Sequence, residues 1–336
     1  MSFRRCDGPL AAGYDAAFLD LDGVVYVGPD PVPSAPASIE SARSGGLRVM
    51  FVTNNASRTP DAIARHLTEI GVPAAAGDVV TSAQAVGRML VELVPSGSDV
   101  LVVGGPGLWA EVSAAGMHPV EFFNEASPPH AVVQGYTADM GYPRLAEAAL
   151  AVRAGAVWIA SNVDSTMPSP RGLLPGNGAL VAAVRVATGR EPTVAGKPFP
   201  PLHREAVRRS GARNPLVVGD RLDTDIQGAV ATGTDSLLVL SGVTDLAGLA
   251  AATADTRPTY LGADISALLE PAPSVRVDSE AGAASCGGAR AAVVDAVWHL
   301  DGSGLDLARA ACALAWARAD AGRPLPDLGA LSRLSR

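Results

Sequence analysis

Lysine is nearly missing from this chain: of 26 basic residues, Lys197 is the only lysine and the others are arginine. Cysteine and aromatic residues are scarce as well, with three cysteines and 4% Phe, Trp and Tyr in 336 residues. Cys6, Cys286 and Cys312 lie far apart and make no CxxC or Cys/His grouping, which argues against a thiolate metal centre and fits reduced thiols. No apolar run is long enough to span a bilayer, and the opening MSFRRCDGPLAAGYD lacks a signal-like hydrophobic core. A cytoplasmic protein without a membrane partner is therefore expected. Excess positive charge is absent too, and the net charge of −8 argues against nucleic acid or an anionic membrane surface as partner. An anionic substrate would have to be met by a local positive feature.

The lone lysine carries some information of its own. In an arginine-biased sequence it suggests a position where a compact ammonium is wanted and a planar guanidinium does not fit. Chance survival of one lysine under a biased base composition would give the same count.

What is present is a globular α/β pattern: 48% hydrophobic and 18% charged residues suffice for two compact domains. Short apolar runs alternate with helical stretches, which reads as a parallel sheet with helices. Strands are expected at 16–22, 47–55, 214–220 and 236–240. A helix follows the second, with Thr59 as N-cap, Pro60 at its first position, and Ile63, Leu67 and Ile70 on one face. Three of the strands end in polar side chains, at 20–22, 53–55 and 219–225. In open α/β sheets ligands sit at the carboxyl ends of strands, so these ends are expected to converge on one crevice.

Strands at 99–105, 130–136 and 156–162, with helices at 106–115 and 143–154, form a second α/β unit inserted into the first. The expected division is a core of residues 1–82 and 183–270, an inserted domain of 83–182, and a C-terminal extension of 271–336. The extension reads as a strand at about 291–300, a glycine-containing turn and a helix at about 305–321. Its turn could hold a nucleotide phosphate, but it carries no basic residue; packing against the core or a subunit contact in a homo-oligomer is the expected role.

Four short motifs carry the chemistry. Asp20 and Asp22, in DLDGVV, are expected on one face of a strand end, where one carboxylate could attack phosphorus and the other protonate a leaving oxygen. A metal site or a helix cap would use the same pair. Thr53, Asn54 and Asn55 could hydrogen-bond phosphoryl oxygens without adding charge, or form an ordinary polar turn. Lys197, between Gly196 and Pro198, is held out of helical geometry by the proline and could offset the charge of nucleophile and phosphate. Asp220, in GDRLDTD, offers an oxygen ligand of the kind magnesium takes, while Asp225 could orient a metal-bound water or cap the next helix.

In this order, each after a strand, the four resemble the motifs of the haloacid dehalogenase superfamily. The wording DLDGVVYVG, FVTNNASR, ASNVDSTMPSPRGLLPGNGALVAAV, AGKP and VGDRLDTDI is similar to the NagD-type phosphatases of subfamily IIA, over roughly residues 14–262. The resemblance implies a Rossmann-like core with an inserted α/β cap. It also implies hydrolysis of a small soluble phosphate ester, with magnesium as cofactor and manganese or cobalt as substitutes. Asp20 takes the role of nucleophile and metal ligand. Asp22 becomes the general acid/base, reaching the metal through its carbonyl, and Asp220 completes the metal site. Thr53 and Asn54 hold the phosphoryl group, and Lys197 neutralises charge. Asn162 and Asp164, after a cap strand, are expected to contact substrate, or else to stabilise their own loop.

Glycerol 3-phosphate is the substrate the likeness favours. 2-Phosphoglycolate, pyridoxal phosphate and nucleotides are the alternatives. A phosphomutase would pass the phosphoryl group to a second hydroxyl instead of water. A non-enzymatic phospho-receiver would need neither Asp22 nor the insertion.

Overall fold

The computed structural model describes residues 2–167, 169, 171–280 and 282–333. They form two compact units, Met1–Val49 with Ala212–Arg336, and Met50–Gly211. Among the described residues no helix is long and apolar enough to cross a membrane.

In the first unit the strands Tyr260–Gly262, Asp235–Val239, Pro215–Gly219 and Ala16–Leu19 lie side by side in that order, all parallel. Their sequences are unbroken apolar runs because both faces are covered: Ala16, Ala17, Phe18 and Leu19 are all buried. Parallel pairing in register, Leu19 opposite Val218, brings the ends of two adjacent strands to the same level. The chain leaves them at Asp20 and Asp220.

The C-terminal residues of this unit form a four-stranded antiparallel sheet, Val275–Asp278, Ala283–Cys286, Ala289–Val294 and Val297–Asp301, followed by the helix Gly304–Asp320. Where one strand was expected at 291–300 there is a hairpin. Its two turn residues, Asp295 and Ala296, have φ of 51° and 60°. Such turns usually carry Asn-Gly or Asp-Gly, and an alanine in this conformation leaves no sequence signal. The helix is buried almost all round from Leu307 to Trp316. It packs on the small sheet and on Leu238, Leu249 and Leu261. Polar anchors fix it there: Trp316 Nε1 donates to the Leu249 carbonyl (2.9 Å), and Arg309 Nη2 donates to that of Leu261 (2.7 Å). Packing against the core is thus what the extension does within this unit.

The second unit holds a five-stranded parallel sheet in the order Thr193–Val194, Val157–Ala160, Ala131–Gln134, Asp99–Val103, His118–Val120. Most of the strand Arg48–Thr53 also belongs here and pairs in parallel with Val79–Thr81. The helix Pro60–Glu69 starts as expected, with Thr59 Oγ1 accepting from the Ala62 amide (3.3 Å). Ile63 and Leu67 are buried, whereas Ile70 falls just past the helix end. The next helix, Ser82–Leu93, opens with a reciprocal cap between Thr81 and Gln84.

Candidate active site

Asp20, Asp220 and Asp225 gather at the strand ends of the first unit. One carboxylate oxygen from each lies within 4.8 Å of the others. Asp20 is half-buried, while Asp220 and Asp225 are 1% and 2% exposed. At an effective dielectric near 20, two carboxylates 4–5 Å apart repel by about 3–4 kcal/mol, so the arrangement calls for a cation. All its donors are carboxylate oxygens, with no imidazole or thiolate, which suits a hard ion such as magnesium.

The chain supports these acids with backbone. The Asp20 amide donates to the Val218 carbonyl (2.9 Å), carrying the ladder one step past the strand. Val243 N donates to Asp220 Oδ2 (2.7 Å) and Arg221 N to Asp225 Oδ2 (3.2 Å). Gly23, at φ 83°, and Gly242 both press on the Asp220 carboxylate; a β-carbon on either would collide with it. Ser241 Oγ ties the two loops together by donating to the Gly23 carbonyl (2.7 Å). The 241–243 segment escapes a reading for reactive side chains because it works through amides and the lack of a side chain.

Asp225 enters the cluster as a full member, although the sequence reading gave it an orienting or helix-capping role. It reaches that position because Leu222–Ile226 forms one wide π-type turn before the helix Gln227–Ala231. Asp22 is exposed, and its carboxylate is not in the cluster. The strand stops at Leu19, so strand alternation does not extend to residue 22. Instead Leu21–Tyr26 folds into a tight turn, with the Leu21 carbonyl accepting from the amides of Val25 (2.9 Å) and Tyr26 (3.1 Å).

The remaining candidates belong to the second unit. Thr53 ends its strand 4% exposed, its Oγ1 accepting from Asn55 N (3.1 Å). Asn55 is exposed and its Oδ1 holds Ser57 N (2.8 Å) and Ser57 Oγ (2.7 Å), which closes a local turn. Lys197 directs Nζ to the Val52 carbonyl (3.1 Å). The Asn54 side chain contacts both the Lys197 backbone and the Asp164 carboxylate. Asn162, 6% exposed, donates through Nδ2 to the Asn54 carbonyl (2.8 Å) and accepts from Asp164 N (3.2 Å). Ser82 Oγ reaches the same Asn54 carbonyl (2.7 Å), and Asn177 Nδ2 supports Asn162 through its carbonyl (2.7 Å). Ser82 and Asn177 were not singled out in the sequence; both lie at helix starts, where a polar residue is ordinary.

Residues 17–118 match the family described as haloacid dehalogenase-like hydrolase, and residues 194–268 match HAD-hydrolase-like. The chain is 47% identical over 316 residues to the D-glycerol 3-phosphate phosphatase of Mycobacterium tuberculosis, covering 91% of this chain and 87% of that protein. It is 36% identical over 255 residues to an acid sugar phosphatase of Staphylococcus aureus, covering 75% of this chain and 96% of the other. A crystal structure of a glycerol phosphate phosphatase from Mycobacterium tuberculosis, in complex with magnesium, superposes with a TM-score of 0.82 at 44% identity over 92% of each chain. The chain belongs to the haloacid dehalogenase-like hydrolases, among the NagD-type phosphatases of subfamily IIA.

Proposed function

We propose that the chain is a magnesium-dependent phosphomonoesterase that hydrolyses glycerol 3-phosphate through an aspartyl-phosphate on Asp20. The observation that carries this reading is the cluster of Asp20, Asp220 and Asp225 at the carboxyl ends of adjacent strands. Similarity to a glycerol 3-phosphate phosphatase over nine-tenths of the chain, and to a magnesium complex of such an enzyme, supports the substrate and the ion.

In this reading the carboxylates of Asp20, Asp220 and Asp225 hold the ion, with the Asp22 carbonyl as a further ligand. Bound magnesium supplies positive charge that offsets the phosphoryl oxygens and the acids around it. Asp20 attacks phosphorus, and the bond from phosphorus to the glycerol oxygen breaks. Asp22 delivers a proton to the departing alkoxide. It then takes a proton from the water that attacks the aspartyl-phosphate, so inorganic phosphate leaves and Asp20 is restored. Thr53 and the backbone amide of Asn54 hydrogen-bond the phosphoryl oxygens, and the Lys197 ammonium lowers the cost of bringing two anions together. Residues 83–182 act as the cap that selects the leaving group, and the enzyme works in the cytoplasm.

The test is kcat/KM at saturating magnesium for glycerol 3-phosphate, phosphoglycolate, pyridoxal phosphate and nucleoside monophosphates. Glycerol 3-phosphate is expected to rank first. A clear preference for a nucleotide or pyridoxal phosphate would refute the substrate while leaving the phosphatase.

A further inference from the structure

We infer that the Asn54 side chain is a positioning device for Lys197, not a phosphate ligand. Its carboxamide grips the lysine's own backbone at two points. Oδ1 accepts from Lys197 N (2.7 Å) and Nδ2 donates to the Lys197 carbonyl (3.1 Å). The same Nδ2 lies 3.1 and 3.2 Å from the two oxygens of Asp164. Both polar ends of the amide are therefore committed to the protein, since a primary amide offers only two N–H donors and one carbonyl.

The lysine is held at its far end too, by Nζ on the Val52 carbonyl (3.1 Å). Root and tip of Lys197 are thus fastened to residues 54 and 52, on either side of Thr53. A four-carbon chain held only at its root would sample many rotamers, so a second anchor fixes where the ammonium sits. Gly196 makes the approach possible, because a β-carbon there would lie 2.5 Å from Asn54 Oδ1 and 2.6 Å from the Ser161 carbonyl. Asn54 is itself braced: its carbonyl accepts from Ser82 Oγ and Asn162 Nδ2. The clasp so joins the end of strand Arg48–Thr53, the lysine loop and the loop after strand Val157–Ala160.

This inference rests on the reading of Lys197 as the group that offsets phosphoryl charge. It is tested by a double-mutant cycle of Asn54→Ala and Lys197→Ala, with Gly196→Ala as an independent way to pry the clasp open while leaving the amide in place. Each variant is assayed with glycerol 3-phosphate at saturating magnesium, and inhibition by inorganic phosphate and the unfolding temperature are measured alongside. Asn54→Ala is expected to lower kcat by about a hundredfold, the scale of a misplacement near 1 Å. It should divide between kcat and KM as Lys197→Ala does, and the double variant should fall within about threefold of Lys197→Ala alone. Gly196→Ala should reproduce the loss and not add to Asn54→Ala. Multiplicative losses in the double variant, or an Asn54→Ala effect confined to KM and phosphate inhibition, would overturn the clasp while leaving the lysine's role standing. Full activity in Lys197→Ala would overturn both.

Discussion

Lys197 and Asp225 are the two side chains whose surroundings change most how their chemistry is read. With its ammonium placed on the Val52 carbonyl and its backbone gripped by Asn54, Lys197 holds a point charge in a position that a planar guanidinium does not reproduce. Lys197→Arg should therefore lower kcat/KM by about a hundredfold although the charge is kept, measured with glycerol 3-phosphate at saturating magnesium; a near-normal rate would leave the lone lysine to codon bias. Asp225, a member of the carboxylate cluster, should matter for ion affinity. Asp225→Asn is expected to raise the magnesium concentration for half-maximal activity by about ten- to a hundredfold, read from a metal titration of the initial rate. Much of this was legible in sequence: an acid directly after an apolar strand marks both Asp20 and Asp220. The standing of Asp225 was not, because it depends on a wide turn that has no sequence signature. Nor was the double engagement of Asn54, since the partners of an amide lie more than a hundred residues away in the chain.

At the scale of elements, the parallel strands were readable because both-face burial writes them as unbroken apolar runs. The hairpin at Asp295 and Ala296 was not, because its turn residues are atypical for positive φ. The helix Pro200–Ser210, just beyond the lysine loop, carries a titration signal. Burial pushes the His203 imidazole down from 6.5 to about 4. The folded protein therefore binds fewer protons at this site than the unfolded chain between those values, and the stability this neutral histidine allows is lost as pH falls through that window. The unfolding temperature should rise from pH 4 to about 6.5 and then level off, and His203→Gln should flatten that rise in a thermal scan at several pH values. An unchanged slope in the variant would exclude His203 as its source.

For the molecule as a whole, the C-terminal residues matter as part of the first unit's core. Trp316 is fully buried against Phe3, with ring centroids 4.7 Å apart, and lies under the Arg257 guanidinium at 5.4 Å. Trp316→Ala should cost about 3–5 kcal/mol in chemical denaturation, and removal of 271–336 should leave the first unit unable to hold its fold. A truncated protein as stable as the full chain would contradict that. The central claim, however, concerns Asp20, and it is tested most directly by phosphate release from glycerol 3-phosphate at saturating magnesium by Asp20→Asn beside the native protein. An amide neither attacks phosphorus nor binds the ion well, so a loss on the order of a thousandfold or more is expected with the unfolding temperature preserved. A variant that kept about a tenth of the native rate would show that Asp20 is not the nucleophile.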